Sequence, residues 1–450
     1  MSSPDTLIDL DPLLARAREL VRFAREAGAE AADVVVAASR SAGVSVRDGA
    51  VEDTSSAEND AFSLRVMVGR RSASVSANRG GDARALAERA VAMAKVSPEN
   101  PYAALAPEDR LARDWPELDL ADAHAPDAEA MREWALECEA AALAVPGVSK
   151  SSGGGFGRSV SGAVLATSHG FEGAYRATRV SGSVSVIAGE GERMERDYDF
   201  DSRRHLEDMR SATAIGRAAG ERAARRVDPR TVESQAVPVI YEPRVARGLV
   251  GHMLGAMSGA AVARGTSLFR DKLGERVAAS GVTLEDRPHV RRGPSSRPFD
   301  GEGMAMEDLV LIEEGVLRHF LLDGASAREL DLVPNARGSR SGSGTSPTST
   351  NTTLLAGPRS PEEAMRDMGS GFYVTELIGQ GVNMVTGDYS RGASGYWIEN
   401  GEPTFPVSEV TLAGNLLDML GRMEPLSDLE THHGTNAPSV LVEGLTLAGR

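Results

Sequence analysis

Few residues in this sequence are placed to do chemistry. His252 lies in an apolar run, Leu249-Val-Gly-His-Met-Leu. On a helix such a histidine reads either as a core or interface residue or as a weak catalytic candidate. His433 is the second weak candidate, in Thr431-His-His-Gly-Thr-Asn. Adjacent histidines on an extended chain point to opposite faces, so this pair offers a metal one imidazole at a time. Cys138 sits in an Ala/Glu-rich stretch with no histidine beside it in sequence and reads as a small core residue. Arg297, Asp300 and Glu302 cluster around Gly301 and Gly303. They read either as a loop lining a substrate channel or as a tight turn with solvated charges. Asn351 and Thr352 end a Ser/Thr/Gly run from Ser341 and begin a strand; as an edge strand it would pair with an extended peptide. Gly153-Gly-Gly-Phe-Gly and Gly342-Ser-Gly lack the Gly-Lys-Ser/Thr ending of a nucleotide loop. No Gly-x-Ser-x-Gly elbow occurs; in Gly338-Ser-Arg-Ser-Gly, Arg340 stands at the nucleophile position.

The elements that must position these groups belong to an acidic globular chain. With 450 residues it is long enough for two or three domains. A formal net charge of -16 argues against nucleic-acid binding, because phosphate contacts need basic surface. One cysteine allows no intrachain disulfide. Met1 to Leu10 has no basic region followed by an apolar core, so it does not read as a signal peptide. No apolar run approaches the ~20 residues of a membrane span. Together these features imply a cytoplasmic protein without a membrane partner.

Apolar spacing predicts helices over 13–27, 82–95, 127–144, 205–226 and 243–263. Strands are predicted at 33–37, 44–47, 61–68 and 72–77, with a hairpin turn at Asp48-Gly49. Residues 97–126 read as a Pro-rich, acidic linker, 148–186 as strands around a Gly-rich turn at 151–157, and 341–351 as a flexible loop. Beyond 237 come short strands at 238–241, 308–312, 316–322, 352–355, 381–386, 395–399, 402–407 and 439–446. The expected fold class is α+β: an N-terminal α/β layer with an antiparallel sheet over 1–230, then a mainly antiparallel, barrel-like domain with helices over 231–450.

Several ordered C-terminal blocks resemble the TldE/PmbA subunit of the TldD/TldE (PmbA/TldD, "modulator of DNA gyrase") metalloprotease family. They are Val239-Ile-Tyr-Glu-Pro, the run from Ser258-Gly-Ala-Ala-Val-Ala-Arg-Gly to Lys272-Leu-Gly-Glu, Ser296-Arg-Pro-Phe-Asp-Gly-Glu-Gly, Leu322-Asp-Gly-Ala-Ser-Ala-Arg, and Tyr396-Trp-Ile-Glu-Asn-Gly-Glu-Pro with Glu409-Val-Thr-Leu-Ala-Gly-Asn. The N-terminal half matches more weakly, around Val66-Met-Val-Gly-Arg-Arg. In the family's TldD branch a helix carries His-Glu-x-x-x-His, and a later cysteine completes a zinc site. Anchored on Ser258-Gly259, the two histidine positions fall on Val250 and Gly255 and the glutamate on Gly251, none of which offers a lone pair. The cysteine position falls on or near His433. The resemblance therefore implies a non-catalytic subunit without metal or other cofactor, zinc belonging to a TldD-like partner. The assembly would trim small unfolded polypeptides or peptide precursors taken up in extended form. Two alternatives stand beside it: an independent homodimeric peptidase, and a regulatory protein-binding module.

Overall fold

The computed structural model describes residues 7–78, 80–341 and 344–449. Residues 1–6, part of the Met1–Leu10 stretch that does not read as a signal peptide, and Gly342 and Ser343 of the Gly342-Ser-Gly run lie outside these. In the N-terminal half, helices α1 (Asp11–Glu26) and α2 (Ala83–Val96) flank strands β1 (Ala31–Arg47), β2 (Ala50–Val68) and β3 (Arg71–Asn78) in sequence. Helix α3 (Ala128–Leu143), strands β4 (Val148–Thr167), β5 (Glu172–Ala188) and β6 (Glu195–Arg203), and helix α4 (Ala212–Arg225) follow. The six strands form one antiparallel sheet in the order β3-β2-β1-β4-β5-β6. Alternation along β1 sorts its faces. Ala32, Val34, Val36 and Ala38 are buried in the core that α1 and α2 cover. Val44 and Val46, on the same face farther along, pack with Met131 and Ala135 of α3. The opposite face, carrying Asp33 and Val35, turns toward the C-terminal half.

The C-terminal half contains β7 (Gln235–Tyr241), α5 (Pro243–Ala256), α6 (Gly259–Ala263), β8 (Leu284–Arg287), β9 (Leu309–Glu313), β10 (Val316–Leu317) and α7 (Gly324–Glu329). Next are β11 (Gly338–Ser341), β12 (Gly344–Pro347), β13 (Asn351–Leu354), α8 (Pro361–Met368), β14 (Ser370–Ile378) and β15 (Asp388–Glu399). The chain continues through β16 (Glu402–Asn415), α9 (Leu416–Gly421), β17 (Met423–Pro425), β18 (Thr435–Asn436) and β19 (Val440–Ala448). Strands β16-β15-β14-β7-β19 run side by side, and β19 pairs back onto β16 through Thr411–Ala448, Leu412–Leu447 and Ala413–Thr446. This closes a five-stranded barrel whose core merges with the apolar face of α5. Closure removes the sheet's open edges.

A second sheet, β10-β9-β8-β13-β18, is pinned by an ion pair without solvent access. Asp286 and Arg337 are both 0% exposed and meet at 2.6 Å. The remaining lone pairs of Asp286 accept from the Thr350 amide (2.6 Å) and the hydroxyls of Thr350 and Thr352 (2.9 Å each). Arg337 also donates to the carbonyls of Glu307 and Asn335. A buried pair is tolerable only when its remaining hydrogen-bonding groups are satisfied in this way.

Several expected elements differ. The two runs 33–37 and 44–47 belong to one 17-residue strand, β1. The glycine run at 153–157 is not a turn but the interior of β4: a Cβ on Gly155 would lie 2.9 Å from the Val44 carbonyl oxygen, so bare backbone lets β4 pass close to β1. The helix expected from His205 starts only at Ala212, where the Ser211 hydroxyl caps it. The 243–263 helix breaks at Met257-Ser258 into α5 and α6. Residues 381–386 form no strand, while 370–378, unassigned from sequence, is β14. The 341–351 run is not all loop: β12 within it pairs with β11, which ends at Ser341. Among the described residues no helix is long and apolar enough to cross a membrane.

Asp286→Ala is expected to destabilise the chain by about 3–5 kcal/mol by stranding the buried guanidinium of Arg337, read as a lowered urea midpoint with the slope unchanged.

Candidate functional site

Helix α5 carries the positions that the family pattern makes chemical. Pro243 opens it, and Val245, Ala246, Leu249, Val250, Met253 and Ala256 turn into the barrel core. Gly248, Gly251 and Gly255 lie on its exposed side. Val250 is thus fully buried hydrocarbon, and Gly251 and Gly255 present bare backbone. His252 is half-buried, its ring edge-on to Tyr389 at 6.4 Å. Burial, reinforced by Arg391, holds its pKa below the usual imidazole range. The segment bearing His433 does come alongside, because β18 packs against α5. The His433 ring lies 5.8 Å from that of Phe200. Burial first, then Arg247 and Arg203, push its pKa down to about 4. Cys138 is fully buried in α3, and burial pushes its thiol up to about 12, so it offers no thiolate at neutral pH.

In the polar loop of Arg297, Asp300 and Glu302 the two carboxylates are buried, not solvated. Asp300 is 1% and Glu302 4% exposed. Asp300 folds the loop on itself, accepting from the amides of Glu302 and Met304 (2.9 Å each) and from that of Gly338 (3.0 Å). Glu302 accepts from the Gly324 amide at 2.6 Å, and its other carboxylate oxygen is buried without a hydrogen-bond partner. Both carboxyls are held above the usual carboxylate range by burial; for Glu302 the neighbouring Asp300 adds to this. Their surroundings include a charged seam with the N-terminal sheet: Arg65 of β2 hydrogen-bonds Asp33 of β1 (2.8 Å from Nε), and Arg340 of β11 reaches the same carboxylate at 3.0 Å. Arg297 is half-buried and donates to the Ser349 carbonyl.

Asn351 and Thr352 correct the edge-strand expectation. Strand β13 lies between β8 and β18, so both its edges are already paired. The Asn351 side chain is buried against the Arg287 carbonyl, the Ser296 hydroxyl and the Ser295 amide, and the Thr352 hydroxyl is spent on Asp286. The structure therefore gathers Asn351 with the 295–304 loop. His252 lies on α5, whereas His433 leads directly into Gly434, which accepts from the Thr352 amide and packs against Ser295 at the start of that loop. Sequence reasoning missed the partners themselves, Asp33, Arg65, Arg340, Asp286 and Arg337. Pairs such as Asp33 and Arg340 lie so far apart in sequence that no local spacing signals them.

The chain matches three successive models of one peptidase class, the last of them over the closed barrel. A model described as the PmbA/TldA metallopeptidase C-terminal domain covers residues 234–449, the central-domain model residues 121–227, and the domain 1 model residues 32–94. The metalloprotease PmbA of Escherichia coli O157:H7 is 35% identical over 94% of this chain and 93% of its own length. The PmbA homologue of Haemophilus influenzae is 33% identical over 95% and 94%. Among solved structures, a putative modulator of DNA gyrase from Bacteroides thetaiotaomicron superposes with a TM-score of 0.89 at 26% identity, over 98% of this chain and 99% of that one. TldE from Thermococcus kodakarensis shares the fold, with a TM-score of 0.83 at 21% identity over 96% and 100%. The chain belongs to the PmbA/TldD metallopeptidase family, on its PmbA/TldE side.

The metal implied by the family's name finds no donor set on α5. Val250 and Gly255 at the two ligand positions and Gly251 at the base position carry no donor side chain, and among the described residues no three His, Cys, Asp or Glu side chains stand together as a metal-holding group.

Two pH effects follow. Raised carboxyl pKa values in the folded chain make the buried Asp300/Glu302 pair cost stability as pH climbs above the ordinary carboxylate range. Glu302→Gln is expected to flatten that loss, its stability relative to the parent rising by about 2 kcal/mol between pH 5 and pH 8 in urea titrations. The depressed pKa of His433 acts in the other direction, costing stability as pH falls below the ordinary imidazole range towards 4. Its ring protons, followed by NMR, are expected not to titrate between pH 8 and about pH 5.

Proposed function

We propose that this chain is the non-catalytic subunit of a zinc metallopeptidase assembly, paired with a TldD-type chain that supplies the metal. The observation that carries this reading is the exposed side of α5, where Gly251 and Gly255, with the inward-turned Val250, stand in place of a base and two ligands. A helix without donors cannot lower the pKa of a bound water, so in this reading the metal-activated water comes from the partner chain. What the chain contributes is wall, stability and substrate contacts in a chamber that takes small unfolded polypeptides in extended form. In this reading the charge-locked loop from Ser295 to Met304 is a rigid part of that wall. Arg297, half-buried at its edge, is the member of the sequence-predicted set best placed to meet a substrate, while Asp300, Glu302, Asn351 and Thr352 hold the loop in shape. The acidic, cysteine-poor composition supports a cytoplasmic location and gives no support to a nucleic-acid partner.

The test is to purify the chain alone and together with a TldD-type partner, then to measure bound zinc and cleavage of a flexible peptide. Zinc and cleavage are expected only with the partner present, both residing in the partner chain. Stoichiometric zinc and robust cleavage by the lone chain would overturn the reading.

A further inference from the structure

The β1–β2 hairpin extends well past the strand beside it. Strand β3 pairs only with Ala61–Val68 of β2. Among the described residues no strand lies beside 50–59 on the side away from β1. All ten of these residues are exposed, on both faces of the sheet, over a length of ~33 Å.

The segment is nevertheless firmly held from behind. β1 pairs with β4 as far as Val46, and Val44 and Val46 are buried in the α3 core. The turn Asp48-Gly49, with φ of 52° and 78°, is gripped by Glu139 of α3, itself 1% exposed, whose carboxylate accepts from the Asp48 amide at 3.0 Å and the Gly49 amide at 2.8 Å. A braced edge of this length, with one register shift where Val51–Asp53 face Ser45 and Val46, is a template for another strand, and proteins usually shorten or cover such edges.

The charges along the edge say what suits it. Residues 50–59 contain Glu52, Asp53 and Glu58 and no Lys or Arg. Arg47 and Arg40 on β1 approach Glu52 and Glu58 at 3.3 and 3.6 Å, in exposed pairs of the kind that contribute little. A second copy of this chain is a poor occupant. Pairing two copies brings three carboxylates from each onto one seam with no base between them, and a register centred on Ser55 sets Glu52 directly against Glu58.

We propose that residues 50–59 of β2 form a docking edge that takes, by strand addition, an extended basic segment of a different polypeptide. Main-chain hydrogen bonds supply the affinity, and cross-strand pairs to Glu52, Asp53 and Glu58 supply the preference for Lys and Arg. The edge belongs to this chain whether or not zinc is held by a partner, so its failure and that of the proposed function are separable.

The test uses the full chain and three ten-residue probes: alternating Thr-Lys, alternating Thr-Glu, and the Thr-Lys peptide N-methylated on alternate residues. Fluorescence anisotropy reads binding, and amide hydrogen exchange reads its location. The Thr-Lys peptide is expected to bind and to slow exchange within 50–59. The Thr-Glu and N-methylated peptides are expected to bind at least about tenfold more weakly, the scale of two or three inverted cross-strand pairs or of lost main-chain bonds. The variant Glu52→Lys/Asp53→Lys/Glu58→Lys, exposed throughout and checked for fold by circular dichroism, is expected to reverse the preference between the two charged peptides. Equal binding of the N-methylated peptide, or binding without protection of 50–59, overturns the proposal. So does a concentration-dependent dimer of the parent chain that the triple variant abolishes, which would assign the edge to a second copy.

Discussion

One carboxylate ties the two halves of this molecule together. Asp33 projects from the face of β1 that does not meet the helices and is held by Arg65 from the neighbouring strand and by Arg340 from the C-terminal half. None of the three is more than 10% exposed at its side chain. A charge buried to that degree is stable only with its partners in place, so separating the β11 segment from the N-terminal sheet would break the Arg340–Asp33 pair and leave Asp33 with Arg65 alone. Glu302 and Asp300 lie in the same seam, and their raised pKa values show that the cost of dehydration is not fully offset there. The loop framing the proposed substrate wall is held both by the amides that Asp300 gathers and by the apolar packing of Phe299 and Met304.

The sequence made the helices and hairpins of the N-terminal half legible because local rules decide them. Asp127 caps α3 and Asp82 caps α2. Asp48-Gly49 turns the first hairpin with both residues at positive φ. The sequence misled where a distant neighbour decides. Glycines that punctuate a loop elsewhere are required inside β4 by the closeness of β1, and Asn351-Thr352 looked like an edge only because nothing local reveals β8 and β18 on either side. The α+β class and the barrel-like C-terminal half were readable from turn density. Which strand closes the ring was not, because pairing β16 with β19 is a long-range choice.

The candidate site divides in the same way. What α5 lacks could be read directly from Val250, Gly251 and Gly255, since an absent donor is a property of composition at a position. What the 295–304 loop does could not, since the burial of Asp300 and Glu302 depends on Gly324, Gly338 and Arg65 from three separate segments.

Barrel closure also sets an order in time. Strand β7, near residue 240, pairs on one side with β14 and on the other with β19, which ends at Ala448. During synthesis β7 and β16 both have to wait, one edge each unsatisfied, until residues 440–448 have left the ribosome. A chain in which 440–448 has not yet paired carries two exposed strand edges beside an apolar core, an arrangement open to edge-to-edge aggregation.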